Sequence, residues 1–144
     1  MMSVKKLLQT ATESIEISYL CLTIMDKHLF FTTSTELVRV PSDAIVYFRA
    51  DGNYSAVIMA DGEEYVLTLQ LGQIEQRIEQ LLDDGDHRFI RIGKSLIINR
   101  DYISFINAGK QRLVLSDCRT FRHEVSASKE ALKALKEYVA KEAL

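Results

Sequence analysis

The chain has 144 residues, 47% hydrophobic and 26% charged, which suits one soluble globular domain with a single compact core. Its two cysteines, Cys21 and Cys118, are far apart and form neither a CxxC pair nor a cluster with histidine, so a disulfide framework and a zinc site are both unexpected. A net charge of −2 argues against a non-specific polyanion binder.

Residues 1–26 read as an N-terminal extension. Lys5 and Lys6 are followed by Gln9, Glu13 and Glu16, which interrupt any apolar run long enough for a signal sequence or a membrane span, so a cytoplasmic protein is expected. The apolar run Ile15–Met25 suits a strand or a packed helix. Two roles are open for the extension: a small dimerisation element, or a stretch preceding a true start at Met25. The domain proper is placed at 27–144.

Leu29 to Val40 is rich in β-branched and aromatic residues with Thr and reads as a first strand, ended by Pro41, the only proline. Ser42-Asp43 is a turn signal, Ala44 to Arg49 a second strand, and Asp51-Gly52-Asn53 another turn. Tyr54–Ala60 and Glu64–Leu69 flank Asp61-Gly62, a strong hairpin signal. The first half is therefore a β-meander.

Leu71, Ile74, Ile78, Leu81 and Leu82 then recur at helical spacing between Gln, Glu and Arg, which predicts one amphipathic helix with a solvated acidic face. Asp83-Asp84-Gly85-Asp86 ends it, with Gly85 available for a left-handed residue. Short strand candidates follow at Phe89–Ile92, Leu96–Ile98, Tyr102–Ile106, Arg112–Leu115 and Arg119–Val125. A closing helix starts near Ser128, a suitable N-cap, with Leu132, Leu135, Tyr138 and Val139 as its apolar stripe. The expected class is mainly β, with several small antiparallel sheets, one central amphipathic helix and a C-terminal helix.

Charge is unevenly distributed. Residues 26–70 hold three basic and seven acidic side chains, and residues 71–87 one and five. From Arg88 to Arg112 the balance reverses, with Arg88, Arg91, Lys94, Arg100, Lys110 and Arg112 against Asp101 alone. Such a stretch is either a local anion-binding face or a solvated surface. No catalytic constellation stands out, because His28, His87 and His123 lack a paired nucleophile or a second ligand at metal spacing. After Asp51-Gly52-Asn53 the residues Tyr54-Ser55-Ala56-Val57 do not continue a calcium loop. The chain reads as a non-enzyme without cofactors.

The most informative segment is Phe89-Ile90-Arg91-Ile92-Gly93-Lys94-Ser95-Leu96-Ile97-Ile98-Asn99-Arg100-Asp101-Tyr102-Ile103. It resembles the signature of the LytTR DNA-binding family at Phe89, Arg91, Lys94, Ser95, Ile98, Asn99 and Ile103, and departs from it at Gly93, where the family often carries His. Asp43–Phe48 followed by Asp51-Gly52-Asn53-Tyr54 resembles the family's first hairpin, and the likeness runs from about Lys27 to Val139. The resemblance implies an elongated fold that projects loops, not a recognition helix, into successive grooves of double-stranded DNA. It further implies a transcription regulator, with two chains on tandem half-sites or a homodimer as the expected assembly. Family members usually carry a receiver domain ahead of this one; with about two dozen residues before the match, regulatory input is expected from a partner, from dimerisation or from abundance.

By position, the first contact loop falls on Asn53, Tyr54 and Ser55, and the second on Gly93, Lys94 and Ser95. The third falls near the last helix, on Ser126-Ala127 or on Ser128 and Lys129; the latter keeps Leu132 and Leu135 on the helix face and supplies a cation. Structural alternatives stand beside these roles. Asn53 also suits a left-handed turn residue, Tyr54 a core aromatic, and Ser95 a local cap. Asn99 is expected to cap backbone groups. Arg91 either supports the loop or contacts phosphate. Lys94, at a loop tip between Gly93 and Ser95, is the strongest candidate for a base contact. A competing function is a protein-interaction module, an anti-activator or dimerisation partner of a full-length regulator, that has lost DNA binding.

Overall fold

The structure is a computed structural model that describes residues 28–32, 34–83 and 85–143. The N-terminal extension, 1–26, lies outside the described residues, as does Cys21. Three antiparallel sheets and two α-helices make up the described chain. Strands β1 (His28–Thr32) and β2 (Leu37–Pro41) form a hairpin, and a 3-10 turn at Ser42–Ala44 leads to β3 (Ile45–Asp51), β4 (Tyr54–Met59) and β5 (Glu64–Leu67). Helix α1 (Leu71–Leu81) precedes β6 (Phe89–Ile92) and β7 (Leu96–Asn99), which complete a five-stranded sheet in the order β5-β4-β3-β7-β6. Strands β8 (Ile103–Asn107), β9 (Arg112–Ser116) and β10 (Arg122–Ser126) form a three-stranded sheet, and α2 (Lys129–Ala143) follows.

The five-stranded sheet is covered on both faces, which explains the nearly unbroken apolar runs of β3, β4 and β7. In register across the sheet, Phe48, Val57 and Ile97 point to one face, where they pack with Leu29, Phe31, Leu71, Ile74 and Ile78 of the β1–β2 hairpin and α1. Tyr47, Ile58 and Ile98 point to the other, against Leu113 and Leu115 of β9 and Leu132 and Leu135 of α2. The period-2 alternation of a strand thus feeds two separate cores.

Three expectations change in detail. The stretch Leu29–Val40 is two strands, with Thr32 opposite Leu37 and Leu29 opposite Val40. Its apolar composition is the same before and after the reversal, and no Gly, Pro or Asn marks the turn. Helix α1 ends by Leu82 becoming extended at φ −97° and ψ 157°, while its N–H donates to the Ile78 carbonyl; Gly85 does not take a left-handed conformation. Leu81 is exposed, and Leu82 closes the buried stripe begun by Leu71, Ile74 and Ile78. Ser128 does cap α2, its hydroxyl accepting the Ala131 N–H at 3.2 Å.

Candidate nucleic-acid interface

Strand registers bring the dispersed candidate residues to one end of the molecule. Asp51 pairs with Tyr54, so β3 and β4 are joined by the two-residue turn Gly52-Asn53. Arg49 lies opposite Leu96, and the Ala50 N–H donates to the Ser95 carbonyl at 2.9 Å. The β3–β4 turn and the β6–β7 turn therefore sit side by side at the same edge of the sheet. Helix α2 reaches this end as well. Near its C-terminus Glu142 pairs with Arg100, whose own N–H donates to the Arg88 carbonyl at the far end of β6. The 15-residue helix extends back from there by about 20 Å, and Ala131 in its first turn lines a groove with Gly93. Asn107 and Ser126 both lie opposite Arg112, which sets the Lys110 turn beside the segment entering α2.

The β6–β7 turn is shaped by backbone conformation and by one arginine. Gly93 has φ +58°, and a Cβ built there meets nothing within 4 Å, so the demand for glycine is conformational and not steric. From β6, Arg91 folds over the turn: Nε donates to the Gly93 carbonyl at 3.1 Å and Nη2 to the Lys94 carbonyl at 3.4 Å. Its Nη1 lies 3.8 Å from Oε1 of Glu75 on α1. Of the two roles open for Arg91, support of the loop is the one its contacts display. Lys94 and Ser95 are exposed, and among the described residues Lys94 has no ion pair, so its ammonium is available to solvent or to a ligand.

The other candidates divide sharply. Asn53 is exposed, and the left-handed residue of its turn is Gly52 at φ +63°, not Asn53; glycine at the first central position suits a type II′ hairpin. Tyr54 is 51% exposed and is not a core aromatic. Ser55 is fully buried and donates its hydroxyl to the Leu69 carbonyl at 2.7 Å, so it reaches no ligand and leaves the candidate set. Ser55 lies one residue further into β4 than Tyr54, where β3 and β5 flank it and the sheet is covered on both faces. Lys129 is exposed beside the capping Ser128.

Asn99 is wholly buried; its side chain donates to the Ile45 carbonyl at 2.9 Å and the Ser42 carbonyl at 3.4 Å and accepts from the Asp101 N–H at 3.0 Å. It locks the start of β3 to the end of β7, as the structural reading of this residue expected. Glu75 escaped the sequence reading, in which it belonged to a solvated acidic face. No sequence signal distinguishes it from Glu79, because its partner is sixteen residues away on another element.

The family model described as the LytTr DNA-binding domain matches residues 35–140. The chain belongs to the LytTR family of DNA-binding domains. The arrangement of small antiparallel sheets with two helices is that of a LytTR fold. Among solved structures, a LytTr DNA-binding domain from Bacillus cereus is similar at 21% identity with a TM-score of 0.52, over 78% of this chain and 96% of that one. No curated protein matches the sequence. LytTR domains form a DNA-binding family and not an enzyme family, and no helix among the described residues is long and apolar enough to cross a membrane.

Proposed function

We propose that this LytTR domain binds double-stranded DNA sequence-specifically and regulates transcription, reading a major groove with the Gly93–Ser95 turn. The observation that carries the reading is the convergence of exposed turns at one end of the molecule, with Lys94, which has no ion pair among the described residues, at the tip of the turn that Arg91 grips. A lysine ammonium held at a groove floor donates to guanine O6 or N7. Asn53, Tyr54, Ser95 and Lys129 flank it with donors for phosphate oxygens, which fix position without carrying sequence information. Ser128 orients Lys129 by capping α2.

Sequence selection with the purified chain, followed by titration at several salt concentrations, tests this. Few cations face the candidate surface, so about three to six phosphate contacts and a log–log salt slope of roughly −3 to −5 are expected. Two half-sites about one or two helical turns apart should appear in footprints if two chains occupy tandem sites. Failure to select any duplex at low salt would favour the interaction-module reading, which draws on the net charge of −2 and on Gly93 standing where the family often has His.

A further inference from the structure

We infer that Glu75 and Arg91 form a brace that presets the β6–β7 turn, making Arg91 a positioning residue for base reading and not a phosphate contact. The inference rests on the duplex-reading function proposed above. Arg91 spends its donors inward. One guanidinium edge serves two consecutive carbonyls, of Gly93 and Lys94, and the remaining nitrogen faces Glu75. Both carbonyls reach the same group because Gly93 turns the backbone through φ +58°. Only a planar fork with several fixed N–H groups can do this; a lysine ammonium lacks the geometry.

The brace ties the turn to a distant element. Glu75 lies on α1, and α1 is fixed to the sheet by Leu71, Ile74 and Ile78 in the core. The pair lines a groove of about 360 Å³ between α1 and β6, so it is partly wet and its strength comes from the fork and not from deep burial. Without the brace, the Gly93–Ser95 turn would rely on the flanking Ile92–Leu96 strand pair, on the Ala50 N–H to Ser95 carbonyl bond and on a glycine that is free to take other conformations. Lys94 would then have to be ordered at the moment of binding, which lowers affinity for the correct sequence far more than attraction to the backbone.

The test compares wild type with Arg91→Gln, Arg91→Lys and Glu75→Gln in the full chain, on selected and scrambled duplexes over a range of salt. Thermal melts establish that each variant is folded. Arg91→Gln should lose about tenfold or more on the selected duplex, the size of one misplaced base contact, with scrambled-duplex affinity and salt slope nearly unchanged. Arg91→Lys, which keeps the charge, should lose nearly as much. Glu75→Gln should lose about two- to fourfold, as expected for one partner of a half-exposed pair. In the free protein, backbone NMR order parameters across Gly93–Ser95 should fall in both Arg91 variants.

Equal weakening of both duplexes by Arg91→Gln, with a slope shallower by about one and rescue by Arg91→Lys, would make Arg91 a phosphate contact and overturn the proposal. Unchanged order parameters across the turn in both Arg91 variants would overturn it too. If wild type selects no duplex, the duplex reading itself fails, while the order parameters still decide whether the brace exists.

Discussion

The β6–β7 and β9–β10 turns both pivot on a left-handed residue, Gly93 at φ +58° and Cys118 at φ +63°, yet they are held in opposite ways. Asp117 closes the β9–β10 turn from within. Its carboxylate accepts the N–H groups of Arg119, Thr120 and Phe121 at 2.7–3.1 Å and the Thr120 hydroxyl, and these bonds hold its carboxyl well below the usual carboxylate range. The β6–β7 turn has no such local acceptor. Its carbonyls are gripped by Arg91, which in turn leans on Glu75 of α1. A self-closed turn is held by bonds among its own neighbouring residues, here Ser116 to Phe121. A turn held from outside has its N–H groups and its tip free, and its position is referred to the rest of the fold.

The largest contrast should come from deleting the tip. Lys94→Ala is expected to reduce discrimination between selected and scrambled duplexes by about 1–3 kcal/mol, while changing stability by roughly 0.5 kcal/mol or less, as for other exposed truncations. Parallel duplex titrations and thermal melts of the variant check this. Equal affinity of variant and wild type for the selected duplex would remove Lys94 from the interface and leave the two turns functionally alike.

Gly93→Ala forces a Cβ into the left-handed region, at a cost of about 1–2 kcal/mol in a turn that cannot relax without breaking the Arg91 fork. Both denaturant midpoint and selected-duplex affinity should fall. A variant of full stability and full affinity would mean that the turn adapts and that its shape is not what the duplex reads.

Asp117→Ala should lower thermal stability while leaving duplex discrimination intact, because the β9–β10 turn lies at the other end of its sheet from Ser126 and α2. The same carboxylate gives a pH test. Its folded pKa is depressed, so its stabilisation is complete above the unfolded-state value and is lost as pH falls through the folded one, below the ordinary carboxylate range. Melts between neutral pH and strong acid should show wild type losing an increment of stability at the acid end that Asp117→Ala lacks. Parallel curves for the two proteins would refute the linkage.

The smallest expected effect is a gain. Cys118→Gly relieves a non-glycine left-handed residue whose own N–H remains bonded to the Ser116 hydroxyl at 2.8 Å. Relief of strain is partly offset by the entropy of an added glycine, leaving an increase of roughly 0.5 kcal/mol or a little more. A chemical denaturation curve of adequate precision decides it, and duplex binding should not move.

Local periodicity and turn chemistry made much of this fold legible. The hairpin at Asp61-Gly62, the helix built on Leu71, Ile74 and Ile78, the strands Phe89–Ile92 and Arg112–Ser116, and the capped helix after Ser128 each follow from a pattern contained within one segment. The reversal inside Leu29–Val40 was not legible, because Thr, Ser and Glu connect β1 to β2 without a turn signal. In the candidate site, Gly93, Lys94 and Ser95 could be picked out by their setting between two apolar strands. The fate of Ser55 could not, since Leu67 of β5 and the Leu69 carbonyl bury it beside exposed Tyr54, and both lie more than ten residues away in the chain.

By itself, the sequence determined the family, the β-rich class and the positions of the exposed turns, since these depend on residue type and short-range spacing. The tertiary structure alone decided which of those turns stand together, that the five-stranded sheet feeds two cores, and that Arg91 faces inward toward Gly93, Lys94 and Glu75. Those outcomes depend on strand order and on contacts between segments distant in the chain. A cation reads the same in a sequence whether its charge is offered to solvent or already spent on the protein's own carbonyls.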